Sequence, residues 1–193
     1  MKLYHYSQKK YDDLRTLEKQ RPIPAHEKQK ALDETVGSNK PGFYYEHISF
    51  FFDPIPYDIL GKIYGKEHSI WHPGNQIFEY TTTVDALGRF KYEIVEFPEK
   101  IEIYYDDSLT LSQYKRKLKE LIIEHEYIGE GKQQFIKASK SLIGTTRSNF
   151  LKVKSYPNWK EIKNKYAACV PHVMVYPEKG IVKYQSVKEV TIK

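Results

Sequence analysis

The sequence predicts an α+β domain, a mixed and mostly antiparallel sheet with peripheral helices. Three observations predict it. Short runs rich in β-branched and aromatic residues recur along the chain without a regular βαβ period. The helical patterns between them are uneven in length, the clearest over 109–127. No Pro/Gly/Ser linker, internal repeat or low-complexity tract divides the 193 residues, so one domain over 1–193 is expected.

The elements follow in chain order. "KLYHY" at 2–6 is a first strand, followed by a short helix around 10–19. Pro24 suits the first helical residue of 24–36 and Gly37 its stop, because proline lacks only a donor that a helix start leaves unused. "SNKPG" at 38–42 is a turn cluster, and the aromatic-rich stretch 43–53 is a strand. A helix over 55–64 places Ile59, Leu60, Ile63 and Tyr64 on one face. Strands at 76–84 and 89–96 are expected to form a hairpin through 85–88. A strand at 100–105 precedes the helix 109–127, where Leu111, Tyr114, Leu118, Leu121, Ile122 and His125 recur at helical spacing and Gly129 would end it. Helices near 132–143 and 157–165 lead to closing strands at 169–176 and 187–192. The region near 106–166 thus reads as a helical insertion.

Composition excludes several classes. A hydrophobic content of 40% with 29% charged residues describes a folded chain, and at this mass folding buries roughly 70% of the unfolded surface. One cysteine, Cys169, rules out an internal disulfide framework, and its apolar surroundings suit a buried small hydrophobe. The N-terminus carries no apolar signal region, and no run approaches the roughly 20 apolar residues of a membrane span. A cytoplasmic, non-secreted, non-membrane protein is expected. The net charge of +6 pulls weakly toward polyanions, although scattered lysines form a solvated basic face equally well. Seventeen tyrosines supply ring area with few torsions to freeze, which suits either binding or the edge of a core.

Several motifs fail on their surroundings. His68 and His72 have the spacing of a helical zinc pair, but Pro73 and Gly74 end any helix there and no Glu stands between them. No metal is expected. "GEGK" at 129–132 lacks the spacing and the following hydroxyl of a phosphate loop, and reads as a turn between helices. "GTTRSNF" at 144–150 offers backbone donors, two hydroxyls and the Arg147 guanidinium. That set suits a pyrophosphate or a solvated loop.

"LYHYS" at 3–7 places His5 near the end of a strand beside Tyr6 and Ser7, a set able to bind a ribose hydroxyl. It resembles the opening strand of ADP-ribosyltransferase-fold proteins, and "YDDLRTLEKQ" the short helix after it. "HISFFFDPIPYDIL" at 47–60 is similar to a segment of DarT-type DNA ADP-ribosyltransferases, and "PHVMVYPEKGIVKYQSVKEVTI" at 171–192 to that fold's closing strands. The resemblance covers about the first 65 residues and the last 25.

It implies NAD as co-substrate and a protein or nucleic-acid acceptor. His5 would hold the nicotinamide ribose with Tyr6 and Ser7 beside it. Ser49 would form the pocket wall, and Tyr45 (or Tyr44) or Phe51 would stack on the nicotinamide. Arg147 is the first choice for the pyrophosphate and Arg15 the second. The family uses a Glu on the penultimate strand, and here Pro171 or His172 holds that place, so His172 joins His5 as the catalytic candidate. Glu96, Glu102 and Glu178 substitute only in another strand register. That departure leaves open a second reading, a non-catalytic phage-type structural or host-interaction protein on a degenerate transferase fold. The chain would then work in a host cytoplasm.

Overall fold

Alternating side chains on successive strands build the core. A computed structural model describes residues 1–27, 46–57, 60, 76–95, 113, 128–154 and 171–191. Seven strands form one sheet: β1 (Lys2–Ser7), β3 (Ile48–Phe51), β4 (Gln76–Thr83), β5 (Phe90–Val95), β6 (Ile128–Glu130), β7 (His172–Pro177) and β9 (Ser186–Thr191). Their spatial order is β6-β5-β7-β3-β1-β4-β9, and every neighbouring pair is antiparallel. A second, two-stranded ribbon pairs β2 (Leu14–Arg15) with β8 (Ile181–Val182). The other described elements are three α-helices, α1 (Leu17–Gln20), α2 (Lys132–Ser139) and α3 (Thr146–Lys154), and two 3-10 turns over Val84–Leu87 and Lys140–Leu142. The expected α+β class with an antiparallel sheet is what the chain adopts.

Strand side chains alternate between faces, so register assigns each residue to one of them. Leu3, Phe50, Tyr80, Tyr92, Val173 and Val175 share one face and are fully buried there. Phe135 of α2 packs onto that face against Tyr92 and Phe90, with ring centroids 5.0 and 5.6 Å apart. Leu14 and Val182 of the ribbon join the same cluster. Each such side chain contributes about 1.5–3 kcal/mol by leaving water. The opposite face carries Tyr4, Tyr6, Ser49, Phe51, Met174 and His172.

Four expectations need correction. The hairpin over 76–84 and 89–96 does not form: β4 lies between β1 and β9, whereas β5 lies between β6 and β7. Val84 and Leu87, in a 3-10 turn over Val84–Leu87, are buried, so the link is part of the core and carries the chain from one side of the sheet to the other. Gly88, at φ 68°, allows the reversal that follows. The helix around 10–19 shrinks to α1, because Leu14 and Arg15 extend to pair with β8. "GEGK" is not a helix-to-helix turn, since 128–130 forms the edge strand β6 inside the stretch expected to be helical.

"GTTRSNF" is largely the start of α3 rather than a loop. The Asp53 carboxylate accepts from the Gly144 amide at 2.7 Å and from Thr146 Oγ1 at 3.1 Å. A carboxylate of the chain itself thereby holds the N-terminus of that helix. The predicted strand at 100–105, most of the helices 24–36 and 109–127, the helix 157–165, Cys169, His68 and His72 lie outside the described residues. Among the described residues no helix is long and apolar enough to cross a membrane, and no group of His, Cys, Asp and Glu is placed to hold a metal.

Candidate functional site

Strand β1 treats its two neighbours differently. It pairs with β4 along its whole length, from Lys2↔Thr83 to Ser7↔Phe78. With β3 it shares one registered pair, Tyr4↔Phe51, after which the strands part. His5 fills the start of this gap, its Nδ1 lying 2.8 Å from the Ser49 carbonyl oxygen. A carbonyl only accepts, so Nδ1 carries the proton and the neutral ring keeps its lone pair on Nε2. The imidazole lies 5.9 Å from the rings of both Phe50 and Tyr80. Burial lowers its pKa, while the bond to Ser49 opposes that shift, and the neutral ring prevails at pH 7.

Beyond His5 the gap opens into a cleft of about 360 Å³. Its walls include Tyr6 and Ser7 from β1, His47 and Ser49 at the start of β3, and Tyr11, Arg15 and Gln20 from the segment that crosses above. That segment is fixed by tyrosines. The Tyr11 amide donates to the Tyr80 hydroxyl at 2.7 Å, which itself donates to the Lys9 carbonyl at 3.0 Å. The Tyr184 hydroxyl donates to the Tyr11 carbonyl at 3.0 Å. Burial raises the Tyr80 pKa, so its hydroxyl keeps the proton it donates. The Thr16 amide donates to the Gly180 carbonyl at 3.0 Å, joining α1 to the turn before β8.

Among the described residues the lining carries one permanent charge, the Arg15 guanidinium, and no carboxylate. Asp13 holds Arg15 side-on, with Nε–Oδ1 at 2.5 Å and Nη2–Oδ2 at 3.2 Å. Arg15 accordingly draws the Asp13 carboxyl below its ordinary pKa through that hydrogen bond, and Lys183 adds to the effect.

The residues singled out in the sequence fall into separate groups. His5, Tyr6, Ser7, Ser49 and Arg15 come together around the cleft. Phe51 does not line the cleft: it is 7% exposed, and its ring lies 5.7 Å from that of Tyr6 and 5.9 Å from that of His172. His172 pairs with Phe51 across β3 and β7, which puts it on the opposite face of the sheet from His5, and it does not line the cleft. Arg147 stands in the first turn of α3, also away from the cleft lining. Glu178 follows β7, where its backbone amide donates to the Arg89 carbonyl at 2.9 Å. Tyr44, Tyr45, Glu96 and Glu102 lie outside the described residues.

Two contributors went unread in the sequence. His47 lines the cleft from the residue just before β3, with its ring 5.9 Å from Tyr176. Asp13 holds Arg15, and its only sequence signal was an acid two residues before an arginine in a stretch expected to be helical. Compared with protein-family models, with curated proteins and with solved structures, the chain matches none.

Proposed function

We propose that the chain binds NAD in the cleft between β1 and β3 and transfers its ADP-ribose to a protein or nucleic-acid acceptor. One observation carries this reading. At the point where the two central strands part, His5 is tied through Nδ1 to the Ser49 carbonyl, in a cleft that also holds Ser7 and Arg15. This is the place where the resemblance to ADP-ribosyltransferases puts the nicotinamide ribose. The residues fit such a ligand chemically: a neutral imidazole and a hydroxyl suit ribose hydroxyls, and the described lining residues include no carboxylate to repel a pyrophosphate. NAD supplies the transferable group. Its ribose C1′–nitrogen bond breaks with the electron pair leaving on nicotinamide, and the acceptor takes C1′ and loses a proton to solvent.

Calorimetric titration with NAD, paired with an assay of nicotinamide release, tests the reading. Saturable binding is expected in the wild type. His5→Gln should weaken it by about tenfold, the scale of one lost ligand hydrogen bond in a closed site. An absence of both binding and release in a folded wild-type protein overturns the proposal. A second reading, a non-catalytic binding protein on the same fold, is favoured by the absence of a carboxylate among the described residues of the lining. A carboxylate is the usual means of stabilising the positive charge that develops on the ribose. NAD binding without nicotinamide release selects it.

A further inference from the structure

Asp13 stands just before β2 with its side chain only 10% exposed, whereas that of Arg15 is 47% exposed. The carboxylate accepts from Arg15 Nε and Nη2 on one edge of the guanidinium, and Lys183 Nζ lies 3.2 Å from its Oδ2. A guanidinium has five N–H donors in a fixed plane. Two are spent on Asp13, and the other three have no partner among the described residues. Asp13 sits between two cations, with the Asp12 carboxylate also acting on Arg15, and the cation with a free donor edge lines the cleft.

The alternative anion-binding stretch, 144–147, is already engaged. Its Gly144 amide and Thr146 hydroxyl donate to Asp53, so an internal carboxylate holds the place that a phosphate would take. The Thr145 hydroxyl donates to the Leu142 carbonyl at 2.7 Å.

We infer that Arg15, clamped side-on by Asp13, is the group by which the cleft binds the phosphate of a nucleotide, and that Asp13 is its positioning residue. The inference rests on the cleft being a nucleotide site. The clamp matters because a free arginine must lose rotamer freedom on binding, whereas this one is oriented beforehand. Lysine cannot reproduce the arrangement: its single ammonium has no second edge with which to grip Asp13 while facing the ligand.

The test is calorimetry on the full chain with ADP and with adenosine, which shares the base and ribose and lacks the phosphates. Wild type should bind ADP about tenfold or more tightly than adenosine. Arg15→Gln should abolish that difference by weakening ADP alone, and Arg15→Lys should recover little of it. Asp13→Asn should weaken ADP severalfold and leave adenosine unchanged, a split that a merely structural role would not produce. Arg15 is half exposed, so its variants report even if Asp13→Asn fails to fold. Equal affinities for ADP and adenosine, or an ADP affinity indifferent to Arg15→Gln, overturns the inference. NAD binding that is independent of Arg15 sinks this inference and leaves the NAD reading standing. ADP binding through Arg15 without NAD binding does the reverse.

Discussion

The two sides of the sheet handle an aromatic-rich sequence in opposite ways. Around β5, β6 and β7, aromatic rings close the structure. Phe90, Tyr92 and Phe135 meet at centroid distances of 5.0–6.1 Å, with Tyr92 and Phe135 fully buried. Gly129 of β6 fits there because it lacks a side chain, since a Cβ would come within 2.4 Å of the Tyr92 ring. Around β1 and β3, aromatic rings instead frame an opening. His5 stands between Phe50 and Tyr80 and makes one hydrogen bond where a ladder would have continued. Stability concentrates where rings pack against rings, and a binding cleft becomes possible where a polar ring replaces a strand pairing.

Three perturbations test that contrast, beginning with the largest. Phe135→Ala should destabilise the fold by about 3–5 kcal/mol, the range for deleting a buried aromatic, as read from urea or guanidinium unfolding. Nucleotide affinity of the remaining folded protein should not change, because Phe135 does not line the cleft. A matching loss of affinity would mean that the two sides act as one unit.

Gly129→Ala should cost about 1–3 kcal/mol, because the added methyl meets a ring that has no room to retreat. An unchanged unfolding midpoint would show that Tyr92 can move after all.

The smallest effect belongs to His5 and depends on pH. Burial lowers its pKa in the folded state, so the unfolded chain binds the proton more readily. The contribution to stability is therefore fully present above about pH 6.5, the unfolded value, and is lost as pH falls below it. The slope is at most about 1.4 kcal/mol per pH unit for this one proton. Unfolding curves at pH 7.5 and 5.5 should show that loss in the wild type and a smaller one in His5→Gln. Identical pH dependence in both proteins would remove His5 as the titrating group of the gap between β1 and β3.

Much of the sheet was legible from the chain. The long strands are legible because six or more alternating residues carry their own signal, as in Lys2–Ser7 and Gln76–Thr83. The pairs β2 and β8 are not, because two residues hold no period, and each exists only through the other. The apparent hairpin failed for a related reason. Proximity in sequence favours pairing, but burial of Val84 and Leu87 in the common core decided the path of the link. At the site, His5, Tyr6, Ser7 and Ser49 were legible as a polar set on two strands. Phe51 reads as a stacking ring in the sequence, because nothing there says that it will be buried beside Tyr6 and His172.

By itself the sequence determined the class of the fold and the chemistry at hand: which strands are long, where a histidine and hydroxyls lie, and that one cysteine and mild positive charge narrow the choices. These are properties of local periodicity and composition, and they survive without knowledge of any contact. Only the tertiary structure decided that β1 parts from β3 after one pair, that Asp13 faces Arg15 rather than water, and that Asp53 takes the donors of 144–146. Each of these depends on hydrogen bonds whose partners are chosen by packing, and the local sequence does not say which of the available partners a side chain will face.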